Sequence, residues 1–476
     1  MRKLVLLLAC TAPLYPQRNA IDWPFAANDA QRTGWEKSDS SITKENIKDF
    51  QLIMKMNLDP KVKGARSLAP PVVLGRLISY RGFKELAFVE SGSDSMWAID
   101  ADMNRVFWEK HFEKPPHTPK NTGPNAAMCA GAVAAMPSLM PPPAFGAGRP
   151  RPAAPANAAK SLLTAGGFGG PRPAFAVSSD GKLHLMNTST GEDVTGAMPF
   201  LPSGAKASNL TVAEGVVYTT TIAGCGGTPA GVWAIDLNGE EPKVSNFPIK
   251  SGDLRGLTFG NDGTVFAQTP ESVIALTPKG LKEAGIFTSP TGMANATPVI
   301  FTWHERELTI AAGKDGSLFV LDPKNLKTAL SATAPGGEVW GGLSSWQDAN
   351  GTRWVLAPIW GPKAGAIVAY RLGDSNGTPT LTQAWTSGEL SAPEPAVITS
   401  GIVFALSAGD YANEQAKPSG HAKLFAFDGT TGKELYNSGD QANSPANLTG
   451  VTLANGRVFF TTTDGTLYGF GILLER

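Results

Sequence analysis

The chain has 476 residues, with 41 basic and 41 acidic side chains and a formal net charge of zero. No Lys/Arg run exceeds two, which excludes the basic stripe of a nucleic-acid binder, and no stretch approaches the ~18 consecutive apolar residues of a membrane-spanning helix. With Gly 53, Pro 37 and only 17% charged residues, the chain reads as many short strands joined by tight turns, an all-β domain that can exceed the usual ~150 residues.

Arg2-Lys3 followed by the apolar residues 4–9 reads as an export signal, with the small Ala20 just before Ile21. Residues 1–20 are therefore expected to be a signal peptide, and the mature protein to work in the periplasm or outside a bacterial cell. Leu7-Leu8-Ala9-Cys10 leaves a second reading open, a lipoprotein box that would anchor the chain through a lipidated Cys10. Residues 21–49 form a lead-in. Residues 50–56 then read as a strand with no partner nearby in sequence.

A strand pattern follows, apolar and ending in Asp or a stand-in. It appears first as Ser95-Met96-Trp97-Ala98-Ile99-Asp100 and returns in copies ending at Asn187, Asp236, Thr277, Asp322, Arg371, Asp428 and Gly471. The first step is 87 residues and the later ones run from 41 to 57, near the ~40–50-residue period of propeller blades. Asp180-Gly181, Asp315-Gly316 and Asp464-Gly465 precede copies, and Asp-Gly suits a two-residue hairpin turn. The eighth copy ends at Gly471, too close to the C-terminus for an outer strand. The orphan strand at 50–56 is expected to supply it and close the ring, so that residues 50–476 form one eight-bladed β-propeller.

Three loops are long and share one face of such a ring. The first, at about 114–171, carries Pro, Ala and Gly in a proportion that cannot build a packed core. The second spans residues 222–230 and the third 407–421. Cys129 lies in the first loop and Cys225 in the second, so a disulfide between them is expected; two buried thiols are the alternative.

Ala426, Asp428, Thr431, Gly432 and Lys433, with Tyr436 in the place of Trp, match the motif Ala-x-Asp-x-x-Thr-Gly-Lys-x-x-Trp, and Ala98, Asp100 and Trp108 keep part of it. These units resemble the quinoprotein propeller repeat of pyrroloquinoline-quinone dehydrogenases and their non-enzymatic relatives. The resemblance runs over roughly residues 22–472 and implies an all-β, quinoprotein-like propeller. It also brings pyrroloquinoline quinone and Ca²⁺ into view as cofactors. The adjacent cysteine pair common in the enzymes is absent, and their Ca²⁺ ligands find no match residue by residue.

Candidate ligand-face residues are Asn209, Asn295 and Asn447 ahead of innermost strands, Trp340 and Trp360 among glycines, and Asp410 and Tyr411 in the third loop. Asn can equally satisfy turn backbone, and Trp can equally be core. The expected function is a ligand- or protein-binding scaffold propeller whose partner is a small molecule, a glycan or polymer, or another envelope protein. The alternative is a periplasmic quinone-dependent alcohol or sugar dehydrogenase.

Overall fold

The structure is a computed structural model and describes residues 20–61, 66–79, 82–114, 121, 134–140, 172–249, 254–334, 336–360, 365–411 and 418–473. Eight antiparallel sheets of four strands form the blades of a ring. Blade one is Val72–Ser79, Gly82–Ser91, Ser95–Asp100 and Arg105–His111. Blade seven begins at Val397–Thr399 and ends at Glu434–Asn437. Blade eight consists of Thr452–Ala454, Arg457–Thr461, Thr466–Ile472 and the early strand Phe50–Asn57. Innermost strands touch their neighbours around the ring, and the eighth touches the first.

Blades stack face to face, so both faces of an inner strand are buried and its residues are apolar or small without alternation. Ser95–Asp100 and Val216–Thr221 are buried throughout, whereas the outer strand Arg105–His111 alternates between half-buried and exposed. The Asp-Gly pairs do turn the chain, but in three-residue rather than two-residue loops: the Ser178, Gly313 and Thr462 amides donate to the Lys182, Ser317 and Thr466 carbonyls, and the glycine takes the last loop position at positive φ. Asp315 accepts from the Ser317 amide at 3.1 Å and its hydroxyl at 2.7 Å. These bonds favour the anion and lower the Asp315 pKa. Gly465 has φ 79°, and a Cβ there would lie 2.0 Å from the Asp59 carbonyl oxygen. Only glycine lets the chain that leaves the closing strand pass so near.

A tryptophan of the repeat locks one blade to the next at two junctions. Trp108 of blade one donates to the Thr188 carbonyl at 3.0 Å, and its ring lies against Gly191 of blade two. Trp385 of blade six does the same to Gly429 and Gly432 of blade seven, at 3.0 Å. Trp233 differs: its indole N–H binds Thr221 of its own blade at 2.9 Å. The motif aspartates serve the turn. Asp428 accepts from the amides of Thr430 and Thr431, both at 3.0 Å.

The lead-in does more than the sequence suggested. It threads one end of the central channel and satisfies edge groups of innermost strands in turn. Trp23 exchanges backbone bonds with Val73 of blade one at 2.8 and 2.9 Å. Pro24 accepts from Leu139 of blade two at 2.7 Å, Ala30 from Phe259 of blade four at 2.9 Å, and Gln31 from Ile300 of blade five at 3.1 Å. Thr33 then accepts from Ser345 of blade six at 2.9 Å. Trp35–Glu36 finally pairs in parallel with Ile398–Thr399 of blade seven. Asn455 grips both backbone groups of Ile21, and Asp39 accepts from the Gly456 amide at 2.6 Å. The innermost strands it reaches would otherwise present free edges to the channel.

Candidate functional site: the cup at the channel mouth

The opposite end of the channel is an open cup with a free volume of about 110 Å³. Its walls come from the short segments that lead into the innermost strands, brought together from seven of the eight blades. Its floor is the lead-in, through Ala26, Ala27 and Arg32. Around the wall stand Arg66, Ser208, Asn209, Arg255, Trp340, Glu394 and Thr449.

Trp340 is 3% exposed and carries the Arg255 guanidinium 4.5 Å above its ring. Arg255 Nε donates to Asn295 Oδ1 at 3.1 Å, which holds the guanidinium over the indole. Trp360 packs behind, with ring centroids 5.0 Å apart. Glu394 is buried between Pro393 and Pro395, and its Oε2 accepts from the Gly450 amide at 2.5 Å. Burial pushes its carboxyl pKa up to about 7, against the opposing pull of the Gly450 and Leu448 amides and of Arg255. Tyr411 is buried and its hydroxyl donates to the Ala446 carbonyl. Burial, then the neighbouring Glu394, raises its pKa, so it stays a neutral donor.

The sequence-selected residues therefore separate. Asn209 and Trp340 line the cup, Asn295 positions Arg255, and Trp360 backs Trp340. Asn447 is fully buried and spent on structure: Oδ1 accepts from the Ser67 amide and hydroxyl, and Nδ2 donates to Thr461 and Thr462 at 3.1 and 2.8 Å. Asp410 is exposed and pairs its backbone with Ser419 in its own loop, apart from the cup lining. Cys225 is buried, while Cys129 and Cys10 lie outside the described residues, so the disulfide and the lipid anchor stay expectations. Most of the insertion at 114–171 also falls outside them.

Arg32, Arg255 and Glu394 were missed. Pro-Glu-Pro looks like loop, and a lone Arg in a lead-in carries no motif. The usable signal was position, since Asn209, Arg255, Asn295 and Glu394 all stand just ahead of innermost strands.

A raised carboxyl pKa means the folded state holds the proton more tightly than the unfolded chain. The Glu394 contribution is fully present below its unfolded pKa of 4.5 and is lost as pH rises through about 7. We expect the Glu394→Gln variant to lose that slope, worth roughly 3 kcal/mol between those limits. Urea titrations of both proteins from pH 4.5 to 8 test this; parallel stability curves would refute it.

No protein-family model matches the sequence, and no curated protein matches it. Solved structures do match in fold. Quinohemoprotein alcohol dehydrogenase from Comamonas testosteroni superposes with a TM-score of 0.62 at 15% identity, over 97% of this chain and 82% of that one. A europium-containing methanol dehydrogenase gives 0.60 at 11% identity, over 95% and 98%. BamB from Moraxella catarrhalis gives 0.52 at 12% identity, over 90% and 99%. The class is thus an eight-bladed β-propeller of the quinoprotein-dehydrogenase fold. No helix among the described residues is long and apolar enough to cross a membrane.

The Ca²⁺ that the fold suggests does not fit the cup. Glu394 is the one carboxylate among the described lining residues, one of its oxygens is taken by an amide, and Arg255 acts on it. Among the described residues no group of three His, Cys, Asp or Glu could hold a metal. A divalent cation needs six or more oxygen ligands, several of them charged.

Proposed function

We propose that the cup binds a flat, carboxylate-bearing small molecule, with pyrroloquinoline quinone as the first candidate. The observation that carries this is the Arg255 guanidinium held over the Trp340 face in the channel mouth. An aromatic face with an adjacent cation suits a planar anion. The free volume is below the ~300–1,000 Å³ usual for ligand pockets, so Arg255 must swing off Trp340 to admit such a ligand. Two of the three solved neighbours named above are dehydrogenases, which favours the dehydrogenase expectation over a scaffold role. Activity of that kind would be oxidation of an alcohol by the bound quinone. Trp340 would stack the ring system, Arg255 and Asn209 would orient its polar rim, and Glu394 would hold or accept a proton. An exported setting accords with this reading.

Incubation with pyrroloquinoline quinone, with and without Ca²⁺, followed by gel filtration is the test. We expect quinone absorbance to elute with the protein equally in both cases, and Trp340→Ala to weaken retention at least tenfold. Dye reduction on adding an alcohol would extend the reading to catalysis. Absence of retained quinone would remove this candidate.

A further inference from the structure

The floor of the cup holds a buried cation that Asp29 attracts through space but that no carboxylate of the described residues binds. Arg32 is 8% exposed. Its Nε donates to the Leu257 carbonyl at 2.9 Å, and its Nη2 is buried with no hydrogen-bond partner. The nearest acid in sequence, Asp29, spends its oxygens on the Thr33 amide and hydroxyl at 2.8 and 2.5 Å. Among the described residues no ion pair reaches Arg32. A buried guanidinium nitrogen without an acceptor is costly, and a chain keeps one where something outside the chain completes it.

Space has been cleared for this group. A Cβ on Gly256 would stand 2.0 Å from Arg32 Nη2. Gly256 is not in the left-handed region, so glycine there serves room rather than backbone geometry. The residue that would block the guanidinium is thus the neighbour of Arg255, the cation over Trp340. Beside Arg32 and Arg255, Glu394 is the only acid among the described lining residues, and burial favours its neutral form.

Resting on the reading of the cup as a small-molecule site, we propose that Arg32 is its anion-recognition residue. Its guanidinium takes the carboxylate or phosphate end of a ligand that enters from the open mouth, while the other end reaches the Trp340 wall. The N-terminal lead-in is then part of the binding site as well as a plug. Burial already brings the Arg32 pKa down to about 10, which marks the desolvation that an anion would relieve.

Calorimetric titration and thermal unfolding of the full chain test this with three probes: pyrroloquinoline quinone, citrate and inorganic phosphate. The variants are Arg32→Met, Arg32→Lys and Gly256→Ala. We expect at least one probe to bind the wild type, and Arg32→Met to weaken it about ten- to hundredfold, the loss of one charge-assisted contact. Without ligand, Arg32→Met should unfold at a higher temperature than the wild type, because a buried guanidinium nitrogen without an acceptor is gone. Gly256→Ala, which keeps the charge but displaces it, should weaken binding as well, and Arg32→Lys should retain part of it. These two carry the test if Arg32→Met does not fold. Binding of citrate or phosphate that depends on Arg32, without quinone binding, supports this inference and removes only the quinone candidate. Preference between those two probes tells carboxylate from phosphate. Quinone binding unchanged by Arg32→Met and Gly256→Ala overturns this inference and leaves the cup reading standing. No probe bound by the wild type, or an Arg32→Met protein less stable than wild type, also overturns it.

Discussion

A chain that starts at residue 58 should fail to close its ring and should aggregate. Phe50–Asn57 runs antiparallel to Thr466–Ile472, from Phe50 opposite Ile472 to Asn57 opposite Thr466. Without it, Leu467, Tyr468 and Phe470, all fully buried, sit on an open sheet edge. Phe50 also packs against Phe404 and Tyr436 of blade seven, with ring centroids 5.3 Å apart in both cases. Losing Phe50 and Met54, each 3% exposed, removes about 5–10 kcal/mol by the values for large-to-small core changes. That is the size of a typical total stability, ~5–15 kcal/mol. A chain starting at residue 37 separates the two roles of the N-terminal segment. It keeps the closing strand but lacks the channel plug, and should keep the assembly state of the full chain with reduced stability. Gel filtration of both chains decides; a monomeric, cooperatively unfolding chain from residue 58 would contradict ring closure.

Trp23→Ala should cost about 3–5 kcal/mol. Trp23 is fully buried in the channel and joins the main core. Its backbone pairs with Val73, so the side chain anchors the start of a segment that then visits six blades. Truncation leaves a cavity between inner strands that cannot collapse without bending the ring. Trp23→Phe should cost much less, because the indole N–H has no partner to lose. The urea midpoints at unchanged m-value measure both. A Trp23→Ala cost below ~1 kcal/mol would show the plug to be dispensable.

The part of this fold legible in sequence is the part made of local rules. Ser95–Asp100 and its seven successors announce themselves because a strand buried on both faces must be apolar over its length. The strand at 50–56 was placed by elimination, since the eighth copy lacked an outer strand. Asp-Gly turns and the Trp-on-Gly lock between blades are short-range chemistry repeated. The path of residues 21–36 was not legible. Its backbone groups bond one blade after another, with local turns between, so no period of two or 3.6 builds up along it. Within the candidate site the same difficulty recurs. Asn209-Leu210-Thr211 and Asn447-Leu448-Thr449 share a pattern, yet Asn209 lines the cup and Asn447 is consumed by Ser67, Thr461 and Thr462. Neighbours from other blades decide which.

The amino-acid sequence by itself determined the blade, the number of blades and the means of closure, because these follow from burial pattern and turn chemistry within some forty residues. Tertiary structure alone decided the site. Arg32, Arg255, Trp340 and Glu394 come from four separate parts of the chain and meet only when the ring closes. Their chemistry also arises there, since the same ring that joins them buries them, raises the Glu394 pKa and leaves one Arg32 nitrogen without an acceptor.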